Sequence, residues 1–226
     1  MKLACLHAHH SNIDYIESVL APYDIELVHF VDPGLMNRVT HDIGFQQLDV
    51  GRKVKEQMEW IAKCNVDAIL ITCTNYIALL NEKDLSFSIP IIKIDEPYFE
   101  AICQMDKPQV ILFTNPATVE GTMNRLTQYA ANNQKKVDIE VIVIEGTFEL
   151  LMQGLHEEYS QLIANYLHNI IHDGKKVISV AQLSMVHASQ QVEREISKTI
   201  MNPLSPLVKF IVNQLSLGAR SKHNSE

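Results

Sequence analysis

Glycine is scarce in this chain, 8 of 226 residues, and none stands in a GxGxxG or GxxxxGK[ST] pattern. The usual modes of dinucleotide and nucleotide-phosphate binding need backbone free of side chains around the phosphates, so both are disfavoured. A GxSxG elbow is also missing, which argues against an acyl-transfer hydrolase. Basic side chains are outnumbered, 19 Lys and Arg against 27 Asp and Glu, for a net charge of −8. The pairs Lys135-Lys136 and Lys175-Lys176 stand apart in turn-like stretches, so no nucleic-acid partner is expected. No apolar run approaches the ~20 residues that span a bilayer. Residues Met1 to His10 are too few and too histidine-rich for a secretory signal, so no membrane partner is expected. The four cysteines (Cys5, Cys64, Cys73, Cys103) show neither CxxC pairing nor metal-ligand spacing. A reduced, cytoplasmic protein is the simplest expectation.

What is present is ordinary for a globular α/β protein: 46% hydrophobic and 20% charged residues, enough for one large or two small domains. Strand-like and helix-like segments alternate, which predicts parallel βαβ units with helices on both sheet faces. Leu3–His7, Ile25–Val31, Val66–Thr72 and Ile89–Ile94 read as strands. Between them, Ser11 caps a helix to about Leu20, and a long helix runs from about Gln46 to Lys63. Leu48, Val54, Met58, Ile61 and Ala62 are expected on its buried face. Asp32-Pro33-Gly34 through Gly44 reads as a polar loop.

The pattern then repeats. Strands are expected at Gln109–Phe113, Ile139–Ile144 and Val177–Ala181, and a last short one at Thr199–Asn202. Helices are expected from Pro116 to about Asn132, from Thr147 to His172 with a break at Gly154, after Met185 to about Lys198, and from Leu204 to about Leu217. The tail Ala219–Glu226 reads as disordered. The fold expected is two similar doubly wound α/β domains with mostly parallel sheets, related by a pseudo-twofold, with the site in the cleft between them. Residues 1–96 with 204–226 form the first and 97–203 the second, with hinges near Pro97 and Pro203.

Within that frame, Ile69-Leu70-Ile71-Thr72-Cys73-Thr74-Asn75 is the most telling stretch. An apolar strand delivers one thiol and a Thr-Asn pair to its carboxyl end, where open α/β sheets bind ligands. There a thiol can serve as base or nucleophile, and the amides and hydroxyls beside it can hold a carboxylate. The plain alternative is a buried cysteine acting as a small hydrophobe. The halves rhyme: His9-His10-Ser11 and Thr114-Asn115-Pro116-Ala117-Thr118 follow their first strands, and Cys73 and Ser184 follow a later one. That places Cys73 on one wall of the expected cleft and Ser184 on the other.

Four stretches together resemble the aspartate/glutamate racemase superfamily, whose members include amino-acid and hydantoin racemases, maleate isomerases and arylmalonate decarboxylases. They are Thr72-Cys73-Thr74-Asn75, Ile94-Asp95-Glu96, Thr114 to Thr122, and Ala181-Gln182-Leu183-Ser184-Met185. The resemblance implies α-carbon chemistry on a small carboxylate (an amino acid, hydantoin or dicarboxylate) without cofactor or metal. It matches Cys73 to the first catalytic cysteine and Thr74 and Asn75 to its carboxylate-holding neighbours. Thr118 matches the threonine of the second-half loop, and Ser11 lies where a serine commonly contributes. The second cysteine is replaced by Ser184, within a frame that includes Met185. A hydroxyl is a far weaker acid than a thiol, whose reference pKa is ~8.5. The readings left open are a racemase or isomerase, a one-base lyase or decarboxylase, and a non-catalytic small-carboxylate-binding protein. A catalytic Cys73 is expected to ionise more readily than ordinary cysteine. A homodimer is the expected assembly.

The remaining candidates have plain readings beside the functional ones. His7, His9 and His10 suggest a metal, and His7 and His9 share a strand face, but no further ligand stands at a telling spacing. His9 or His10 instead lines the cleft or is solvated. His187 follows Ser184 by one helical turn, as a relay or as a surface residue. Asp95 and Glu96 open a helix, where acids are favourable on dipole grounds alone. Thr114, Asn115 and Thr118 surround a helix entry, where hydroxyls and free amides suit an anion.

Overall fold

The runs of apolar residues become strands and the amphipathic runs become helices in a computed structural model that describes residues 1–171 and 175–220. The expected helix end at His172 and the tail from Ser221 lie outside the described residues. Two compact units form, one from Met1–Asp95 with Val208 onward, the other from Glu96–Leu207.

In the first unit the strands are β1 (Lys2–His7), β2 (Glu26–Val31), β3 (Ala68–Ile71) and β4 (Ile91–Lys93). They make one parallel sheet in the order β2-β1-β3-β4. Helices α1 (Asn12–Leu20), α2 (Pro33–His41), α3 (Gln47–Ala62) and α4 (Thr74–Ala78) connect them. The chain passes from β1 out to β2, then crosses back to β3 on the other side of β1. That reversal opens a crevice beyond the carboxyl ends of β1 and β3, where His9, Ser11 and Cys73 lie in sequence.

In the second unit β5 (Gln109–Phe113), β6 (Ile139–Val143) and β7 (Val177–Val180) form a separate parallel sheet in the order β6-β5-β7. Its helices are α5 (Asp95–Cys103), α6 (Val119–Asn132), α7 (Thr147–Met152), α8 (His156–Ile170) and α9 (Val186–Ile196), and α10 (Leu204–Gln214) runs out of it. The period of two along the strands divides the core into two layers. Val110, Leu112 and Val180 face α8 and α9 through Tyr159, Ile163, Leu167 and Val192. Ile111 and Phe113 face α5 and α6 through Phe99, Ile102 and Leu126. Each such side chain, once buried, stabilises the unit by about 1.5–3 kcal/mol. The same reversal of order puts a crevice beyond β5 and β7, followed in sequence by Thr114–Thr118 and Gln182–Ser184.

Several expectations are corrected. The Asp32–Gly44 stretch contains α2 rather than only loop: Asp32 Oδ1 accepts from the Gly34 and Leu35 amides, and Pro33 sits in the first turn. Asp-Pro-Gly is therefore a capped helix entry here, not a turn. Leu48 is 88% exposed and Val50 takes its place inward, because Val50, Val54, Met58 and Ile61 share the buried stripe of α3. Ser11 precedes α1 but makes no capping bond. The expected strand at Thr199–Asn202 reduces to a parallel bridge between Met201 and Ser179. Gly154 breaks the predicted long helix as expected, at φ +76°, a conformation that favours glycine.

Candidate active site

The apolar strand β3 is fully buried and ends two residues before Cys73, which occupies the N-cap position of α4 in extended backbone. Half-buried, the Cys73 thiol is pushed up from its ordinary pKa, first by burial and also by the Asp95 carboxylate. The backbone amides of Asn75 and Tyr76 are directed at it and pull the other way, as a helix start does for a thiolate. Burial outweighs them, so the expected easy ionisation is corrected: the thiol is a weaker acid, and its thiolate is a stronger base but less often formed. Thr74 and Asn75 are half-buried in the first turn of α4. Behind them Tyr76 is buried, its hydroxyl 2.5 Å from Gln57 Oε1 on α3.

At the end of β1, His9 and Ser11 are exposed and joined, with His9 Nδ1 2.8 Å from Ser11 Oγ and accepting from the Ser11 amide at 3.2 Å. The amide bond makes Nδ1 the acceptor, so the neutral ring carries its proton on Nε2, turned away from Ser11. Partial burial and the neighbouring His10 ring hold the His9 pKa below its ordinary value. At the first residue of α1, Asn12 Nδ2 donates to Thr72 Oγ1 at 3.3 Å, linking the β1 loop to the residue before Cys73.

In the second unit a single carboxamide ties the loops after β5 and β7 together. Gln182 Oε1 accepts from the Thr114 amide (2.6 Å), the Asn115 amide (3.1 Å) and the Thr114 hydroxyl (2.9 Å). The amides expected to receive an anion at Thr114 and Asn115 are thus occupied by Gln182. Thr114 itself is 1% exposed. Tyr159 Oη lies 3.1 Å from Thr114 Oγ1 and 2.7 Å from Ser184 Oγ. Because the Thr114 proton goes to Gln182, Tyr159 donates to Thr114 and Ser184 donates to Tyr159. Ser184 is left with lone pairs to offer rather than a proton.

Asn115 Oδ1 caps the Ala117 amide at 3.0 Å, and Thr118, half-buried, donates to Asn115 O at 2.8 Å. His187 is exposed on α9. Met185, which shares the Ser184 motif and is a candidate substrate-binding residue by sequence, is instead 0% exposed and packed in the core with α8 and α9. Its apolar neighbours claim its whole surface.

Sequence reasoning assigned no role to Gln182, although the motif containing it was in view, and it missed Tyr159, which stands 45 residues from Thr114. It also passed over His29. The parallel register sets Cys5 opposite His29, and His29 Nδ1 lies 2.9 Å from His7 Nε2. Cys5, His7 and His29 form the only group of potential metal ligands found among the described residues.

No protein-family model matches the chain, and no curated protein matches it. Solved structures do. The fold is that of two-sheet parallel α/β racemases. An aspartate racemase from Picrophilus torridus is 9% identical, with TM-score 0.67 over 97% of this chain and 96% of its own. Glutamate racemase from Aquifex pyrophilus is 15% identical, with TM-score 0.58 over 95% of this chain and 84% of its own. Allantoin racemase from Klebsiella pneumoniae is 18% identical, with TM-score 0.60 over 99% of this chain and 91% of its own. None of the helices among the described residues is long and apolar enough to cross a membrane.

Proposed function

We propose that the protein is a cofactor-independent enzyme that moves a proton at the α-carbon of a small carboxylate, with Cys73 as the base. The observation that carries this reading is the Cys73 thiol at the carboxyl end of β3, faced by the Asn75 and Tyr76 amides. The fold shared with amino-acid and allantoin racemases supports it. In this reading the Cys73 thiolate takes the α-proton, the C–H electron pair passes into the carboxylate as an enediolate, and the new thiol returns a proton to the same carbon. Thr74, Asn75, Thr118 and the Nε2–H of His9 are the groups we assign to the substrate anion, with Ser11 fixing the His9 ring. Ser184 stands in the sequence where the resemblance expects the second thiol and accepts a hydrogen bond from the substrate, while Thr114, Asn115 and Gln182 order the loops beside it. A reducing, cytoplasmic setting and a homodimer belong to the same proposal.

The test is solvent-deuterium exchange over a panel of small chiral carboxylates and hydantoins. Exchange at the α-position in the parent, lost in Cys73→Ala, is the expected result. Exchange that persists in the folded Cys73→Ala variant overturns the assignment.

A second reading is favoured by the raised Cys73 pKa and by Ser184 standing where a thiol is expected: a carboxylate-binding protein that does no chemistry. In that case a carboxylate protects Cys73 from alkylation while its α-proton never exchanges.

A further inference from the structure

With both rings neutral, the groups around Cys5, His7 and His29 leave a hydrogen-bond mismatch. His7 is buried, and its Nδ1 lies 2.9 Å from Thr72 Oγ1. Thr72 Oγ1 donates its own proton to Leu6 O at 3.3 Å and so accepts from His7, which puts the His7 proton on Nδ1. The Nε2 lone pair of His7 then points at His29 Nδ1, 2.9 Å away. With a neutral His29 donating there, its own Nε2 is a lone pair 3.5 Å from the Glu17 carboxylate, acceptor facing acceptor, and without a hydrogen bond. The Cys5 sulfur stands beside both rings, and its closest hydrogen-bond contact is Leu3 O at 4.0 Å.

We propose that Cys5 Sγ, His7 Nε2 and His29 Nδ1 bind a thiophilic first-row metal ion, with zinc as the reference ion. The three ligand atoms already lie within 4.8 Å of one another. Two nitrogens on one tetrahedral zinc stand about 3.3 Å apart and a sulfur and nitrogen about 3.6 Å apart, so the rings spread slightly and the sulfur need close in by no more than about 1 Å. Two imidazoles and a thiolate suit zinc or copper and not magnesium or calcium.

The outer partners support this assignment independently of the ligands. Metal-bound histidines donate their other ring N–H to a carboxylate or another acceptor, and that contact fixes the tautomer. Thr72 does this for His7. For His29, metal at Nδ1 moves the proton to Nε2, and the Glu17 clash becomes a donated hydrogen bond. The thiolate and Glu17 together balance a divalent charge, and burial of Cys5 and His7 leaves the fourth position to a water-sized ligand. Binding would displace the Cys5 thiol proton to solvent with no change of oxidation state. A proton shared by the two rings would also relieve the Glu17 mismatch, but it would not engage sulfur.

The experiment uses tag-free full-length protein, stripped with a chelator and titrated with Co(II). One equivalent is expected to produce a near-ultraviolet thiolate-to-cobalt charge-transfer band that zinc removes. Cys5→Ser abolishes the band and Cys73→Ser keeps it. Thr72→Val weakens cobalt binding roughly 10–100-fold, as loss of an outer partner does. Absence of the band in the parent overturns the proposal. So does a band that survives in Cys5→Ser or disappears in Cys73→Ser. Should Cys5→Ser fail to fold, His29→Asn decides: a folded variant with parental cobalt affinity overturns the site, and at least about tenfold weaker binding sustains it.

Discussion

Tyr159 Oη stands 2.7 Å from Ser184 Oγ, and this contact sets which way the Ser184 proton points. The run from Ser184 through Tyr159 and Thr114 to Gln182 Oε1 ends on an atom that can only accept, so every hydroxyl in it donates away from Ser184. Ser184 is thereby a poor proton donor. Under the proposed function, a proton removed by Cys73 returns to the same face, and deuterium enters the α-position with retained configuration. Ser184→Cys restores a thiol there, and a general acid of this kind contributes ~10²–10⁴-fold to rate. Chiral analysis of the exchanged substrate should then show inversion in Ser184→Cys and little in the parent. Exchange without inversion in the variant would show that position 184 does not face the substrate.

Tyr159→Phe cuts the same relay in its middle. It removes the hydroxyl contacts to Thr114 and Ser184 but leaves Thr114 donating to Gln182, so the cost should be about 1 kcal/mol in urea unfolding. The Ser184 proton becomes available, and weak inversion should appear without a new thiol. An unchanged stereochemical outcome would mean the relay does not govern Ser184.

Gln182→Leu strands the Thr114 and Asn115 amides and the Thr114 hydroxyl. With three donors losing one acceptor at a largely buried site, destabilisation of about 3 kcal/mol is expected by chemical denaturation. Gln182→Glu keeps the acceptor oxygen and should lose less than half of that. Equal losses in the two variants would contradict the hydrogen-bond account.

The raised Cys73 pKa fixes a pH dependence. Burial favours the thiol over the thiolate, so at neutral pH Cys73 should alkylate more slowly than free cysteine. Its rate should climb as pH rises past the ordinary cysteine range, and α-proton exchange should rise along the same limb. The same sign applies to stability: the folded form holds its proton more tightly, so this contribution is present below the unfolded thiol's pKa and is lost as pH rises through the folded one. Mass-resolved alkylation from neutral to alkaline pH measures it. Fast modification at pH 7 would contradict the direction.

Met185→Ala tests whether Met185 belongs to the core or the site. Truncating a buried methionine should cost about 2–5 kcal/mol, read by urea unfolding. Substrate affinity in the folded fraction should be unchanged. Leu48→Ser, on the exposed side of α3, should shift stability by less than about 0.5 kcal/mol.

The amino-acid sequence determined the parts of this protein that local physics controls. Apolar runs such as Ala68–Ile71 make buried strands whatever their neighbours, and α/β alternation dictates parallel pairing. The ends of those strands therefore locate Cys73, Ser11, Thr118 and Ser184 by sequence alone. The Asp32 cap of α2 was not legible in the same way, because Asp-Pro-Gly suits a turn and a helix entry equally until the following residues find partners. The tertiary structure decided what depends on residues far apart in the chain. Cys73 ionisation is set by burial, to which Asp95 adds from 22 positions away; packing removed Met185 from the site; and Ser184 donates to a tyrosine 25 positions away. His29 reaches His7 only because two parallel strands take one register rather than its neighbour. Periodicity specifies which face a side chain takes, whereas burial, proton direction and ligand grouping arise only when separate segments pack together.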